Sequence, residues 1–436
     1  MIDIRTLREN PEEVIGLLAR RGIDTSVVRE LLEVDAALRE TVARRDSLRA
    51  EINELSKLVA SAYKEHDTSK ADELRNSSRV LGLELETVSQ AAALLETRRR
   101  DIWLVIPNVP STETPIGASE LDNVVVRYWS PESGDTTEVP PLKYASYQEV
   151  PHWEIGTQLQ ILDLERAAKL SGSMFPMFKG MGSRMLRALT SFALDAHSDE
   201  FLEVRPPTFV RRETMISTGH LPKFEDDAYH MERDDLWAIP TAEVPLTSMS
   251  RDEVLDAAML PVKMTAYTPC FRRESGSAGR DTRGLLRLHE FDKVELMVYA
   301  MPAQSEAMLA EILSRAESLL RRLKLTYRVL DLCTGDLGGS AKRTFDLEVY
   351  SPGVARWLEV SSVSWFGDYQ ARRANIRYRA EPGGSIEFVH TLNGSALAWA
   401  RVFAAILETY RESDGSVKIP DVLVGYLGGV DRIGAL

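Results

Sequence analysis

Arg272-Arg273-Glu274 closes a strand-like run, Val262–Phe271, and opens a polar, glycine-rich loop at residues 275–284 that carries Arg280 and Arg283. Residues 285–299 read as the return strand, so the whole is a long hairpin. Period-two alternation puts Arg287, His289, Phe291, Lys293 and Glu295 on one face of that return. Charged groups around one aromatic ring suit a charged planar ligand such as ATP. A guanidinium fork grips two phosphate oxygens at once, an aromatic ring suits a purine, and a carboxylate such as Glu295 suits an ammonium. The competing reading is a surface hairpin laced by cross-strand ion pairs. No Walker-type phosphate loop and no dinucleotide fingerprint is present, and Gly335, Gly338 and Gly339 read as turns. A nucleotide bound here is therefore not bound through a P-loop. No Ser-His-Asp triad or Cys-His pair is visible either.

These residues must be held by a folded scaffold, and the chain divides accordingly. Residues 1–25 read as a short helix. A heptad pattern follows, with Leu31, Leu38, Ile52 and Val59 on one repeat, broken by Arg45, and Val34, Leu48, Leu55 and Ala62 beside it. After a polar stretch, Glu65-His66-Asp67-Thr68-Ser69-Lys70, the pattern resumes with Leu74, Leu81, Val88, Leu95 and Ile102, accompanied by Leu85 and Ala92. Two such helices joined by a short turn predict an antiparallel coiled-coil hairpin over residues 1–105. About 30 residues per helix would make it roughly 45 Å long. Two helices of a compact bundle are the alternative, but mixed charge around both seams favours an exposed arm. Ile106-Pro107-Asn108-Val109-Pro110 ends the second helix, because proline cannot continue it. Residues 106–150 are rich in Pro, Gly and Ser and read as a linker with one strand, residues 124–129. Residues 151–436 alternate strand-like runs with helices at 183–197 and 303–323, which predicts an α+β domain around a substantial sheet.

Composition limits the function classes. The 436 residues contain 44% hydrophobic and 27% charged side chains, ordinary for a globular protein. A net charge of -13 argues against indiscriminate binding to nucleic acid or anionic membranes, so a nucleic-acid partner must be met by local Lys and Arg. Cys270 and Cys333 have no metal or redox spacing, and no zinc is expected. No signal pattern opens the chain, and no window approaches the ~20 apolar residues of a membrane span. A cytoplasmic protein without membrane contact is expected.

The run Thr265-Ala266-Tyr267-Thr268-Pro269-Cys270-Phe271-Arg272-Arg273-Glu274, with the loop after it and His289-Glu290-Phe291-Asp292-Lys293-Val294-Glu295, resembles motif 2 of bacterial-type seryl-tRNA synthetases. These are class II aminoacyl-tRNA synthetases. Pro240-Thr241-Ala242-Glu243-Val244-Pro245-Leu246-Thr247 resembles their serine-site signature. Residues 203–210 resemble motif 1, and His390-Thr391-Leu392-Asn393-Gly394-Ser395-Ala396-Leu397-Ala398 leading to Arg401 resembles motif 3.

The resemblance implies a class II antiparallel sheet flanked by helices, an N-terminal coiled-coil arm and a homodimer formed through motif 1. It implies activation of L-serine by ATP, with Mg²⁺, and transfer to tRNA(Ser). Arg272 and Glu274 would hold the ATP α-phosphate and the adenine edge, and Phe291 would stack on adenine. Arg287 and Arg401 would contact the polyphosphate. Arg273, Leu288, Val360 and Ser361 would flank the nucleotide, and Glu359 and Ser362 would hold Mg²⁺. Thr241, Glu243, Glu295 and Ser395 would line the serine pocket. Recognition of tRNA would fall to Arg44, Arg45, Arg49, Lys57, Arg75, Arg79, Arg98, Arg99 and Arg100 on the arm.

Each residue has a plainer reading alone: Arg401 as an ion-pair partner in an apolar helix at 396–410, Glu359 as an edge-strand charge, Ser362 as a turn hydroxyl. Their joint occurrence favours the site. The chain departs from the usual family pattern at Val363, where Cys is common, and at Trp365, where Asn is common. It departs again at Trp399 and Ala400, where Val and Gly are frequent. A bulky Trp beside the pocket is expected to alter its fit. Two other classes use the same scaffold. One is an amino acid:carrier-protein ligase, which generally lacks the arm. The other is a non-catalytic tRNA-binding paralogue, which would lack Arg272, Glu274 or Arg401.

Overall fold

The structure, a computed structural model, describes residues 1–276, 281–381 and 383–434. Arg280 of the loop lies outside the described residues. Two compact units divide the chain.

One unit comprises Ile2–Ala19 and Ile23–Pro107. The single short helix expected at its start is two, α1 (Ile4–Glu9) and α2 (Pro11–Ala19). Pro11 opens α2, where its missing N–H costs nothing. The hairpin helices α3 (Ser26–Lys64) and α4 (Thr68–Val105) run antiparallel. With 39 residues in α3, the hairpin is roughly 58 Å long, more than the expected length. Asp67 caps α4 by accepting the Lys70 N–H at 3.0 Å. Leu31, Val34, Leu38, Leu48, Ala62 and Ala92 are buried at the seam, as the heptads require. Asp35 is buried with them and accepts from Arg8, Arg39 and Arg99. Arg44 pairs with Glu84 and Arg98 with Glu30 across the two helices.

The other unit comprises Met1, Arg20–Gly22 and Asn108–Leu436. Its centre is a nine-stranded sheet. The strands are β1 (Val124–Ser130), β2 (Gly134–Thr136), β3 (Leu202–Glu203), β4 (Val262–Phe271) and β5 (Glu290–Ala300). They continue with β6 (Tyr327–Asp331), β7 (Arg343–Ser351), β8 (Arg356–Gly367) and β9 (His390–Ala398). Their order is β2-β1-β6-β7-β8-β9-β5-β4-β3, and every pairing is antiparallel except β3 with β4. The segment expected to be a linker thus supplies two strands of the sheet, and Val124-Val125-Val126 gives β1 its β-branched character.

Helices α5 (His152–Gln158), α6 (Met181–Asp195), α7 (Ser305–Arg322) and α8 (Trp399–Thr409) join the largest core. There Met185, Ile312 and Phe403 pack with Leu296, Val363 and Leu392 of the sheet. The opposite face has its own cluster, in which Met264, Ala266, Met297 and Tyr299 meet Leu246 and Ala371. Buried on both sides, β5 reads as a nearly continuous apolar run from Val294 onward. Gly394 permits the tight approach of α7, since a Cβ there would lie 2.3 Å from Ile312 Cγ2. Among the described residues no helix is long and apolar enough to cross a membrane.

Candidate active site

The hairpin is the spine of the site. Strands β4 and β5 pair without interruption from Val262↔Tyr299 to Phe271↔Glu290. The return strand begins later than its composition suggests. Residues 285–289 are not strand, and Leu285, Leu286 and Leu288 are buried in the large core. The expected alternation therefore fails for Arg287 and His289, although both remain near the end of the hairpin. The His289 carbonyl accepts the Arg272 N–H at 2.9 Å, and Arg287 pairs with the Glu274 carboxylate. Glu274 adopts φ +51, a left-handed conformation rare for a residue with a side chain. Arg272 lies over the Phe291 ring at 5.1 Å. Arg273 instead lies over Tyr229 at 6.0 Å.

Further along β5 the alternation holds, and a buried polar pocket forms. Lys293 and Glu295 make an ion pair, and Lys293 Nζ donates to Thr241 Oγ1 at 2.8 Å. Thr241 Oγ1 in turn donates to Glu295 Oε2 at 3.3 Å. Thr241 precedes the short helix Glu243–Ser248, whose Pro245 is tolerated because it sits in the first turn. Asn393 Nδ2 donates to Glu243 Oε2 at 2.9 Å and to Glu295 Oε1 at 3.1 Å, joining two buried carboxylates. Gln370 Nε2 donates to Glu243 Oε1 at 2.6 Å. Burial first, and Glu295 second, push the Glu243 carboxyl up to about 7. His220 accepts or donates at Thr218 Oγ1 over 2.7 Å. Its burial, then Arg272 and Lys293, pull it down to about 3, so its imidazole is neutral.

Two bulges set which residues face the site. On β8 the register shifts between Leu347↔Ser361 and Glu348↔Glu359, leaving Val360 extra. Glu359 and Ser362, which would face opposite ways in a regular strand, thereby share a face with Asp346, the cross-strand partner of Ser362. On β9 the shift between Ser395 and Leu397 leaves Ala396 extra, with Ser395 opposite Glu295. Val360 itself is in the core, and Ser361 Oγ donates to the Ser395 carbonyl at 2.5 Å. The apolar helix expected from residue 396 starts at Trp399, because residues 390–398 are strand. Arg401 in its first turn donates from Nε to the Leu286 carbonyl at 3.1 Å and from Nη1 to the Glu359 carbonyl at 2.8 Å. Its guanidinium lies 3.7 Å from the Glu359 carboxylate. Arg401 thus reaches Glu359 and the Leu286 carbonyl, Arg287 follows Leu286 and pairs with Glu274, and Arg272 lies over Phe291, all at the loop end of the hairpin.

Glu359, Ser362 and Asp346 present oxygen donors only. Asp346 is half-buried with Oδ1 enclosed and unpartnered, and burial, then Glu359, hold its carboxyl well above the usual range. Among the described residues no three His, Cys, Asp or Glu side chains enclose a metal by themselves. An oxygen-only set with few carboxylates fits Mg²⁺, which keeps waters and takes further ligands from substrate phosphates.

Comparison with known proteins decides the family. Residues 1–110 match the seryl-tRNA synthetase N-terminal domain, and residues 223–410 match the tRNA synthetase class II core domain (G, H, P, S and T). The chain is 47% identical over 437 residues to a serine–tRNA ligase of Citrifermentans bemidjiense, covering 99% of this chain and all of that one. The chain belongs to the seryl-tRNA synthetase family. A crystal structure of the Pyrococcus horikoshii seryl-tRNA synthetase complexed with ATP superposes with TM-score 0.90 at 35% identity over all of both chains. Another, the cytoplasmic serine–tRNA ligase of Naegleria fowleri in complex with AMP, gives 0.85 at 26% identity, covering all of this chain and 99% of that one. A family likeness running through both the arm and the core gives no support to the carrier-protein ligase or the non-catalytic paralogue.

Within this family the departures fall away from the polar pocket. Trp365 is the cross-strand partner of Leu392, and Val363 of Gly394, on the face that packs against α7. Asn393, in the pocket, is opposite Ser364. The expectation of a Trp crowding the pocket is therefore corrected. Trp365 lies against His390 and beneath Lys342, and Trp399 meets Phe178 edge-on at 5.1 Å. Sequence reasoning places Lys293 on the hairpin face and Asn393 in the motif 3 run but gives neither a role; they sit two residues before Glu295 and Ser395 on the same strand faces. Period two alone points to them. Gln370, His220 and Asp346 carry no comparable local signal.

Proposed function

We propose that this protein is a serine–tRNA ligase, which activates L-serine with ATP and transfers the seryl group to tRNA(Ser). The observation that carries the reading is the buried polar network of Thr241, Glu243, Lys293, Glu295 and Asn393, which feels the Arg272 charge and shares strand β5 with Phe291. The ATP and AMP complexes of two relatives support nucleotide binding at the same fold.

In this reading the adenine stacks on Phe291 with Glu274 at its edge, and Arg272 takes the α-phosphate. Arg287 and Arg401 take the polyphosphate, with Arg273, Leu288, Val360 and Ser361 around the nucleotide. Thr241, Glu243, Glu295 and Ser395 hold the serine. Its carboxylate is already ionised at neutral pH, so no general base is needed. A carboxylate oxygen attacks the α-phosphorus, the bond to the bridging oxygen breaks, and pyrophosphate leaves. The arginines lower the barrier by positioning and by neutralising charge that builds on the phosphates. Mg²⁺ held by Glu359 and Ser362 would add charge neutralisation at the polyphosphate. A terminal ribose hydroxyl of the tRNA then attacks the seryl carbonyl, and AMP leaves. A pocket that hydrogen-bonds the serine hydroxyl leaves polar groups unpaired when alanine enters, a discrimination of roughly 10⁴–10⁵.

The homodimer through residues 203–210, a cytoplasmic location and tRNA binding by the arm belong to the same proposal. Of the arm's basic residues, Arg44, Arg45, Arg49, Lys57, Arg75, Arg98 and Arg99 are paired with carboxylates, whereas Arg79 and Arg100 have no ion-pair partner among the described residues. Such contacts make tRNA binding salt-dependent.

Amino-acid-dependent ATP–pyrophosphate exchange tests the reading, followed by charging of purified tRNA isoacceptors. Serine-dependent exchange is expected, with Arg401→Ala lowering it by roughly 10²–10³. Exchange with another amino acid overturns the substrate, and exchange without charging overturns the transfer step.

A further inference from the structure

Glu408, near the end of α8, is fully buried and so is His152 at the start of α5. The carboxylate collects four donors. His152 gives it both its backbone N–H, at 3.0 Å, and Nδ1, at 2.8 Å. Ser351 Oγ and the Gly353 N–H, at 3.0 Å, reach the other oxygen. On the far edge of the ring, His152 Nε2 accepts the Leu285 N–H at 2.9 Å. A backbone N–H only donates, so Nε2 is bare and Nδ1 carries the proton that Glu408 accepts.

Two glycines make room for this arrangement. A Cβ on Gly284 would lie 2.4 Å from His152 Nε2 and 2.7 Å from Trp153, and its φ of +59 also favours glycine. A Cβ on Gly353 would lie 2.5 Å from the Val150 carbonyl and 2.8 Å from Glu408 Cδ. The chain thus brings backbone against the pair from two sides.

The consequence reaches the candidate nucleotide site. Leu285 is tied to Glu408 through His152, and the next carbonyl, Leu286, accepts from Arg401 at 3.1 Å. Arg401 and Glu408 lie on one helix, about two turns apart. Helix α8 therefore grips consecutive backbone groups of one segment at two points, and Arg287 follows directly. We infer that His152, oriented by Glu408, is a positioning residue that fixes Arg287 relative to Arg401 so that both meet the same polyphosphate. The inference rests on the ATP-site reading above. It adds a role for two buried residues that never touch the substrate.

The pair His152→Asn and His152→Gln separates positioning from mere packing. Asparagine keeps a donor in place of Nδ1 for Glu408 but has nothing to accept the Leu285 N–H. Glutamine brings its Oε1 to where Nε2 stood and keeps that acceptor. In serine-dependent pyrophosphate exchange, His152→Asn is expected to lose roughly 100-fold in kcat/KM for ATP, the scale of a misplacement of about 1 Å. The KM for serine should stay within about twofold, and His152→Gln should recover most of the ATP loss at a similar thermal midpoint. Equal loss in both variants, loss that follows the thermal midpoint, or a wild-type kcat/KM in His152→Asn overturns the inference. If neither variant folds, Gly284→Ala, which keeps both His152 and Glu408, drives a Cβ against His152 Nε2 and displaces the segment, and it should raise the KM for ATP and spare that for serine. An unchanged KM for ATP there likewise overturns it. Failure of the underlying reading looks different, because the wild-type protein would then show no serine-dependent exchange. In that case ATP titration calorimetry decides, with His152→Asn expected to bind ATP more weakly than His152→Gln, and equal binding overturning the inference.

Discussion

Glu243→Gln is expected to make the larger unit more stable in alkaline solution while depriving it of serine. Glu243 is buried, and Asn393 and Gln370 donate to its two oxygens. Those bonds do not offset the cost of burying its charge near Glu295, so the carboxyl stands at about 7 instead of 4.5. That difference corresponds to about 3 kcal/mol. Between the two values the unfolded chain has released the proton and the folded chain keeps it. The folded state then binds more protons, and stability falls as pH rises through this window. The loss is absent below the unfolded value and complete above about pH 7. Glutamine has no proton to lose, although its amide N–H₂ must face Asn393 or Gln370, a cost that does not vary with pH. Urea unfolding of both proteins at about pH 5, 6, 7 and 8 isolates the titration from that constant offset. The stability of the variant minus that of the wild type should climb by up to about 3 kcal/mol across the series. Pyrophosphate exchange with serine should be lost throughout. A difference that stays flat, or falls with pH, refutes the assignment of the raised carboxyl to Glu243.

Gly394→Ala drives a Cβ to 2.3 Å from Ile312 Cγ2 and 3.1 Å from Val363 Cγ2. It should cost about 1–3 kcal/mol in thermal unfolding and raise the KM for serine through Asn393 and Ser395 on either side. An unchanged midpoint would mean α7 yields freely. Trp365→Asn should lower the thermal midpoint by removing packing against His390 and Lys342 while leaving the KM for serine within about twofold, since its side chain faces away from Asn393. A large change in that KM would place the residue in the pocket after all.

The reach and the limits of the sequence lie in how strand parity is kept and broken. Val262–Phe271 is legible to the residue because its run is bounded by Pro261 on one side and by Arg272-Arg273-Glu274 on the other. The heptads of α3 and α4 are legible for the same reason, a long regular period with a polar interruption. Parity fails where the proposed function sits. Leu285, Leu286 and Leu288 look like strand, yet their segment leaves the ladder. Its backbone is committed to His152, to Arg401 and, through His289, to the Met174 carbonyl. Val360 and Ala396 look like ordinary strand residues, yet each is a bulge that turns the residues beyond it to the other face. Without the first bulge, Glu359 and Ser362 point apart. Without the second, the chain enters α8 out of phase, and Arg401 no longer reaches the Glu359 and Leu286 carbonyls. A single sequence shows apolar and β-branched residues at these positions and gives no sign of the extra residue, because a bulge is selected by the neighbouring strand and not by its own side chain. The same holds for Gln370, His220 and His152, whose partners are brought near only by the sheet order. The groups that carry the proposed chemistry could therefore be named one by one, while the geometry that makes them a site depends on two residues that do no chemistry at all.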